Sequence, residues 1–380
     1  MSGSWLLVYA AVALAAAVVS AALLPLMYRL AHRTGMLDRP GRHKAHAAPT
    51  PLLGGGAVVG AFLLTVGLGW AALALAAAGA LPALPEEVAD EAGLVSKVTL
   101  PLAGLLGGAA LMFALGTWDD RKGPEVRAST KLLGQVAAAG LFALCGGRLD
   151  VFPGDVADVA MAIIWVVGIT NAVNFVDNMD GVAAGLVAVS SLCFLVVAAV
   201  QLQTFIAAAL AALLGSTLAF LRWNFPPARM FLGNGGAYFL GYVLGALTVL
   251  ESYVTKNSSS LFPIVMPLLV LALPVCDMAS VVWIRWREGR PVYIGDRRHI
   301  AHRLVRLGLP VRGAVLLLYS HTLAVGIAST MLSQTSVRLN LLLLALAVLI
   351  LVNLLLFLYF AERGRGQDGA RQEHHSAAPG

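Results

Sequence analysis

Charge is scarce in this chain. Only 12% of its 380 residues are Asp, Glu, Lys or Arg, while 59% are hydrophobic. A soluble fold could not cover so much apolar surface, so an ordinary soluble domain is excluded. Cysteine is scarcer still, and Cys145, Cys193 and Cys276 stand alone inside apolar runs with no C-x-x-C pair, which argues against a disulfide framework and a structural zinc site. The sequence also lacks a Walker P-loop, a Rossmann glycine fingerprint, an H-E-x-x-H pair and any internal repeat. The net charge of +6 does not point to nucleic acid, because the Lys and Arg residues are dispersed over short connectors instead of forming one patch.

What remains is a series of long apolar runs with a mean hydropathy of +0.82. They predict an all-α polytopic membrane protein with about eleven transmembrane helices, at 5–28, 52–80, 97–117, 132–146, 158–173, 182–200, 204–221, 231–250, 261–284, 314–333 and 337–361. The first span has no basic residue before it and Arg29, Arg33, Arg39, Arg42 and Lys44 after it, so an uncleaved helix with its N-terminus outside is expected. Connectors assigned to the inner side then hold 22 of the 26 Lys and Arg residues, leaving only Lys97, Arg148, Lys256 and Arg338 outside. That asymmetry puts the C-terminus in the cytoplasm. Residues 1–361 read as one integral membrane domain, followed by a polar tail, 362–380, expected to be disordered.

The same topology puts every chemistry-bearing motif on the cytoplasmic face. Asn171 to Gly181 reads NAVNFVDNMDG, and a helix continuing through it would bring Asp177 and Asp180 onto one face. GTWDDRKG ends the third span with the adjacent Asp119 and Asp120. Four carboxylates converging at one membrane face would repel unless a cation or raised pKa values relieved them, and an all-oxygen site of this kind suits Mg²⁺. The solvated helix end is the plain alternative for Asp119 and Asp120 taken alone. Arg222 and Arg229 flank a Pro-Pro break, after which the glycines around Asn234 offer backbone amides suited to a phosphate; a simple tight turn would look the same. His299, His302, Arg303 and Arg306 recur at helical spacing opposite Ile300, Leu304 and Leu307, which predicts an amphipathic interfacial helix with a basic face for an anion.

Together, HKAHAAPTPLLGGG, GTWDDRKGPEVRASTKLLGQ, NAVNFVDNMDGVAAG, FLGNGGAYFLG, PVCD and GDRRHIAHRLVRLG resemble the polyprenyl-phosphate N-acetylhexosamine-1-phosphate transferases, nearest the WecA/TagO branch and more distantly MraY. The likeness runs in order from about residue 29 to 310. It implies a multi-pass enzyme of the bacterial plasma membrane that moves an N-acetylhexosamine-1-phosphate from a UDP-N-acetylhexosamine to undecaprenyl phosphate. The products would be UMP and a lipid pyrophosphate sugar for cell-wall or surface-polysaccharide synthesis. Mg²⁺, or Mn²⁺ in its place, is the implied cofactor, the bilayer the implied setting, and a homodimer the state suggested by analogy.

By that resemblance Asp119, Asp120, Asp177 and Asp180 are the catalytic set. Asp120, Asp177 and Asn234 stand at the metal, and His46, Lys131, Asn174, Asn178, Asp296, His299, His302 and Arg303 bind substrate. Two departures stand out: Asn234 and Ala237 occupy the Asp and Ser positions of the family's FxGDxGS motif, and Ala301 removes the middle histidine of H-x-H-H. An amide oxygen can still ligate Mg²⁺ but gives up a full charge, so metal affinity should fall unless another carboxylate such as Asp277 or Asp296 compensates. A weakened homologue that binds the lipid carrier or the nucleotide-sugar in a regulatory role is therefore the alternative. A transporter fits less well, since it would break paired helices near mid-membrane, whereas these charges crowd one face.

Overall fold

The computed structural model describes residues 3–39, 49–80, 93, 95–149, 151, 154–253, 262–291, 298–333 and 335–376. Thirteen α-helices run through the described residues: α1 Gly3–Thr34, α2 Gly54–Ala77, α3 Val95–Lys122, α4 Ala128–Leu144, α5 Asp155–Val176, α6 Val182–Val200, α7 Thr204–Asn224, α8 Gly233–Leu250, α9 Met266–Val270, α10 Ala272–Arg287, α11 Ile300–Arg306, α12 Val311–Thr330 and α13 Val337–Ser376. The one sheet among them pairs β1, Leu37–Asp38, antiparallel with β2, Thr50–Pro51. Apart from that four-residue sheet the regular structure of the described residues is helical, and the protein is an all-α membrane protein.

Eight of these helices, α1, α2, α3, α5, α6, α7, α12 and the apolar part of α13 to Ala361, are long and apolar enough to cross a bilayer. The other three expected spans fall on α4, on α8, and on the interrupted pair α9 and α10. The last of these corrects the sequence reading of a single span over 261–284. Pro274 has no N–H to return to the preceding turn, and the chain steps out of helix at Leu271 between Val270 and Ala272. Between α6 and α7 the chain makes a real turn at Gln201–Gln203, with Leu202 at φ 60°. Helix α13 continues past residue 361 as far as Ser376.

Burial orders the helices. α8 is enclosed along nearly its whole length, and α6 is buried on most sides, so these two form the centre of the bundle. At the periphery α1 exposes Leu6, Leu7 and Leu14, and α13 exposes Leu342, Leu349 and Phe360, as helices bathed in hydrocarbon do. Lipid tails are as apolar as these side chains, so close packing rather than water exclusion has to hold such helices together. Small residues permit it. A Cβ on Gly215 of α7 would lie 1.9 Å from the Ala13 carbonyl oxygen of α1, so only glycine fits that crossing.

The packing also decides which helix ends meet. Helices α3 and α5 both lie against α8, bringing the C-terminal ends of α3 and α5 to the N-terminal end of α8. The start of α2 is stitched to the same region, since Gly54 and Gly55 donate their amides to the Phe231 and Leu232 carbonyls at 3.0 and 2.9 Å. Phe231 in turn donates to Pro51 O at 2.8 Å.

The Gly215 crossing gives a direct test. Gly215→Val should destabilise the detergent-solubilised protein by about 1–3 kcal/mol through overpacking. Gly67→Ala, whose added methyl would meet nothing within 4 Å, should leave the melting temperature unchanged or slightly raised. Equal effects of the two in a thermal melt would contradict the close approach of α1 and α7.

Candidate active site

Helix α3 ends in two adjacent aspartates, and successive residues on a helix point about 100° apart. The two carboxylates accordingly have different partners. Asp119 is only 2% exposed and meets Lys131 Nζ, on the first turn of α4, at 2.7 Å. Its other oxygen accepts from Asn234 Nδ2 at 3.0 Å and lies 3.5 Å from the Tyr238 hydroxyl. Asp120 turns to the start of α8, accepting the backbone amides of Asn234 at 3.0 Å and Gly235 at 3.2 Å. Leu232 precedes α8 and has no side chain able to cap it, so Asp120 supplies the cap from another helix. The expectation that these amides would receive a phosphate is corrected here, because a carboxylate of the protein already holds them.

The Asp177 turn also departs from the expectation. Helix α5 ends at Val176, and Asp177 to Gly181 form a turn before α6 starts at Val182, so Asp177 and Asp180 do not share a helical face. The backbone leaves helical geometry at Asp177, with ψ 47°, and Gly181, at φ 76°, a left-handed conformation that glycine adopts without strain, leads into α6. Asp180 accepts the Ala228 amide at 2.9 Å, and Asn178 donates to Phe175 O at 2.7 Å. Asn174, one turn before the end of α5, donates to Asn234 Oδ1 at 3.0 Å. No hydrogen bond reaches the Asp177 carboxyl among the described residues, and its pKa is pushed up to about 7, chiefly by burial and further by the charges of Asp120 and Asp180.

The histidines approach from α11. His299 is the residue before the helix rather than part of its basic face, and it is 4% exposed. Its Nδ1 donates to Asp277 Oδ2 at 2.7 Å while the Ile300 amide donates to Asp277 Oδ1 at 2.6 Å, so one buried carboxylate both orients the imidazole and caps α11. Asp277 is therefore engaged on both oxygens at the start of α11. The expected amphipathic helix is real but short: Ile300, Ala301 and Leu304 are its buried side. His302 Nε2 donates to the Asn178 carbonyl at 3.1 Å, which ties α11 to the Asp177 turn. Arg303 is half-buried beside it on the same short helix. The Arg285 guanidinium lies over the Phe175 ring at 5.8 Å, and Phe175 in turn meets His299 edge-on at 6.1 Å.

Of the expected site residues, Asp119, Asp120, Lys131, Asn174 and Asn234 form one linked set, and Asp177, Asn178, Asp180 and His302 a second beside it. His299 is reached through Phe175. His46 and Asp296 lie outside the described residues. Sequence reasoning missed Tyr238 at Asp119, the reciprocal pair Gln135 and Asn171, and Asn224, which is 3% exposed and accepts the Gly181 amide at 3.0 Å. Polar residues on apolar helices were the available signal in each case.

The donor chemistry suits a divalent cation. Burial raises the Asp177 pKa to about 7, no hydrogen bond reaches its carboxyl among the described residues, and it is close enough to Asp120 and Asp180 to feel both. Asp120 keeps a second lone pair on each oxygen. Asn234 contributes least, since its amide nitrogen is given to Asp119 and its oxygen already accepts from Asn174. Among the described residues no three His, Cys, Asp or Glu side chains close around a point as a cage. Mg²⁺ does not require one, because it retains waters and binds through one or two carboxylates plus substrate phosphates.

Comparison with known proteins now bears on this geometry. The model of glycosyl transferase family 4 matches residues 102–252, which hold both aspartate pairs and Asn234. A probable undecaprenyl-phosphate N-acetylglucosaminyl 1-phosphate transferase of Bacillus subtilis (strain 168) is 30% identical over 327 residues, covering 83% of each chain. The chain belongs to glycosyl transferase family 4. Other members similar to it include the decaprenyl-phosphate N-acetylglucosaminephosphotransferase of Mycolicibacterium smegmatis, 31% identical over 80% of this chain and 77% of its own. A phospho-N-acetylmuramoyl-pentapeptide-transferase of Desulforudis audaxviator is 32% identical over 76% of this chain and 86% of its own. The resemblance drawn from the six motifs is thereby borne out, and with it a multi-pass membrane transferase acting in polyprenyl-phosphate sugar-1-phosphate chemistry.

Within this family-4 site the raised pKa of Asp177 sets a pH dependence. A cation held by Asp177 would need the carboxylate, and burial raises its pKa to about 7, so an ion bound there below that pH would displace a proton. Mn²⁺ affinity of the purified protein, read by electron paramagnetic resonance, should rise up to about tenfold per pH unit toward 7 and level off above it. Asp177→Asn should flatten that dependence; an unchanged slope in the variant would assign the proton to another group.

Proposed function

We propose that this protein transfers N-acetylglucosamine-1-phosphate from UDP-N-acetylglucosamine to undecaprenyl phosphate, with the carboxylate end of the bundle at the cytoplasmic face. The orientation rests on the 22 Lys and Arg residues of that side, and on eleven crossings made by the eight long helices together with α4, α8 and the α9–α10 pair. The relatives' names give the chemical class. The observation that carries the reading is Asp177, a half-buried carboxyl that no hydrogen bond reaches among the described residues and that feels the charges of Asp120 and Asp180 where three helix ends meet.

In the reaction, an oxygen of the lipid phosphate forms a bond to the β-phosphorus of the nucleotide-sugar. The bond from that phosphorus to the bridging oxygen breaks, and UMP leaves with the electron pair. The difficulty is electrostatic, since one polyanion must approach another. Bound Mg²⁺ would neutralise phosphate charge and polarise the phosphorus under attack. Asp177 would hold the ion, with Asp180 fixing the turn through Ala228. Asp120 would take a proton from the lipid phosphate while keeping α8 capped. Asp119, neutralised by Lys131 and Asn234, fixes the end of α3 on which Asp120 sits. His302 and Arg303 would meet the donor's diphosphate next to Asn178.

Asn234 favours a second reading. A neutral amide stands where the family pattern carries a carboxylate, which fits a protein that binds lipid carrier or nucleotide-sugar with little turnover. The two readings part in one assay, transfer of labelled sugar-phosphate from UDP-N-acetylglucosamine to undecaprenyl phosphate with Mg²⁺. The native chain should turn over, and Asp177→Asn should lose about 10³-fold in kcat. Asn234→Asp should lose about tenfold or more, because it replaces a donor to buried Asp119 with a second negative charge. A silent native chain revived by Asn234→Asp would establish the binding role instead.

A further inference from the structure

The Asp177–Gly181 turn is held from outside its own two helices. Gly181 donates its amide to Asn224 Oδ1 at 3.0 Å, and its carbonyl accepts the Tyr319 hydroxyl of α12 as well as the Gly185 amide. Asn224 ends α7, and its Nδ2 also donates to Met230 O at 2.9 Å, so one amide side chain spans the loop after α7 and the aspartate turn. That loop is bound to the turn by Asp180, through the Ala228 amide, and to α12 by Arg312, whose Nε donates to Pro226 O at 2.8 Å. Tyr319 reaches the turn because α6 leaves a notch for its ring. A Cβ on Gly185 would fall 1.8 Å from Tyr319 Cζ, so the ring occupies the space a side chain would take.

Resting on the transfer reaction proposed above, we propose that Tyr319 and Arg312 of α12, acting with Asn224, are positioning residues that fix the Asp177–Asp180 turn against the loop following α7. Neither α12 residue falls within the stretch that matches the family model, 102–252, yet both close onto it. The physical need is plain. Among the described residues no hydrogen bond orients the Asp177 carboxyl, so its position is inherited from the turn backbone. A displacement of about 1 Å at a reacting carboxylate costs on the order of 10²-fold in rate. One hydroxyl contributes only about 1 kcal/mol to stability. Loss of the hydroxyl therefore affects the rate more than the fold.

Tyr319→Phe keeps the ring in the Gly185 notch and removes only the hydrogen bond. In the full-length purified protein it should lower kcat about tenfold, with KM for both substrates within about twofold and a melting temperature within about 2 °C of the native value. Hydrogen exchange should quicken about tenfold at residues 177–182 and 228–230, with α12 itself unchanged. Gly185→Ala, which expels the ring, and Arg312→Met should loosen the same two segments. Unchanged exchange in all three variants overturns the clamp. Faster exchange with unaltered kcat overturns the positioning role, as does a rate loss that only tracks global destabilisation. A native chain with no transferase activity would defeat the functional reading, while the exchange rates would still decide whether α12 holds the turn.

Discussion

A helix buried along its whole length needs acceptors for its first amides, and an apolar bundle has few to give. In this protein the central helix α8 begins after Leu232, which offers no capping oxygen, and the acceptor comes from Asp120 at the end of α3. The interaction serves both partners. Asp120 gains two N–H donors and the positive end of a helix dipole, and α8 gains a fixed start against α3. Because α3 and α5 both pack on α8, the same contact sets the distance between the Asp119–Asp120 end and the Asp177 turn. The scaffold and the candidate site are thus held by one hydrogen-bonded corner.

Around that corner the charges are distributed unevenly. Asp119 is paired with Lys131, and its remaining oxygen requires a donor, which an aspartate at position 234 could not provide unless protonated. An amide can donate to Asp119 on one side and accept from Asn174 on the other, and Asn234 does both. Removing one partner from a buried ion pair typically costs about 3–5 kcal/mol, so Lys131 belongs to the architecture of the site as much as to any substrate. The neutral residue at 234 follows from this arrangement. It lets buried Asp119 and half-buried Asp120 sit side by side at the corner, while among the described residues Asp177 is left without a hydrogen bond.

The carboxylates, the glycine-rich start of α8 and the all-α membrane character were legible in the sequence because each is a local pattern set against or within long apolar runs. What they bond to was not. Asp120 meets Gly235 across 115 positions, and Gly181 meets Tyr319 across 138, and no spacing rule connects such pairs. Asp277 was readable as a lone acid in an apolar helix but not as the partner of His299, because His299 lies outside the helix whose periodicity assigned it to a basic face. The break at Leu271 went unread for a different reason. Pro267 and Pro274 were in view, but averaged hydropathy treats an interrupted apolar stretch as a continuous one.

The turn between α5 and α6 shows why a helical reading of N-F-V-D-N-M-D-G would have been less useful chemically. A continued helix would hold Asp177 and Asp180 side by side with fixed backbone partners, both facing the same way. Breaking the helix at Val176 separates their tasks: Asp180 bonds backwards to Ala228, and Asp177 is released toward Asp120. The left-handed Gly181 closes the turn before α6, and it is gripped by Asn224 and Tyr319 from two other helices. Phosphoryl transfer asks little covalent chemistry of a protein and depends on placing charge accurately. A carboxylate carried on a short turn, with that turn clamped by elements distant in sequence, meets the requirement without burying Asp177 in hydrogen bonds that a cation would have to break.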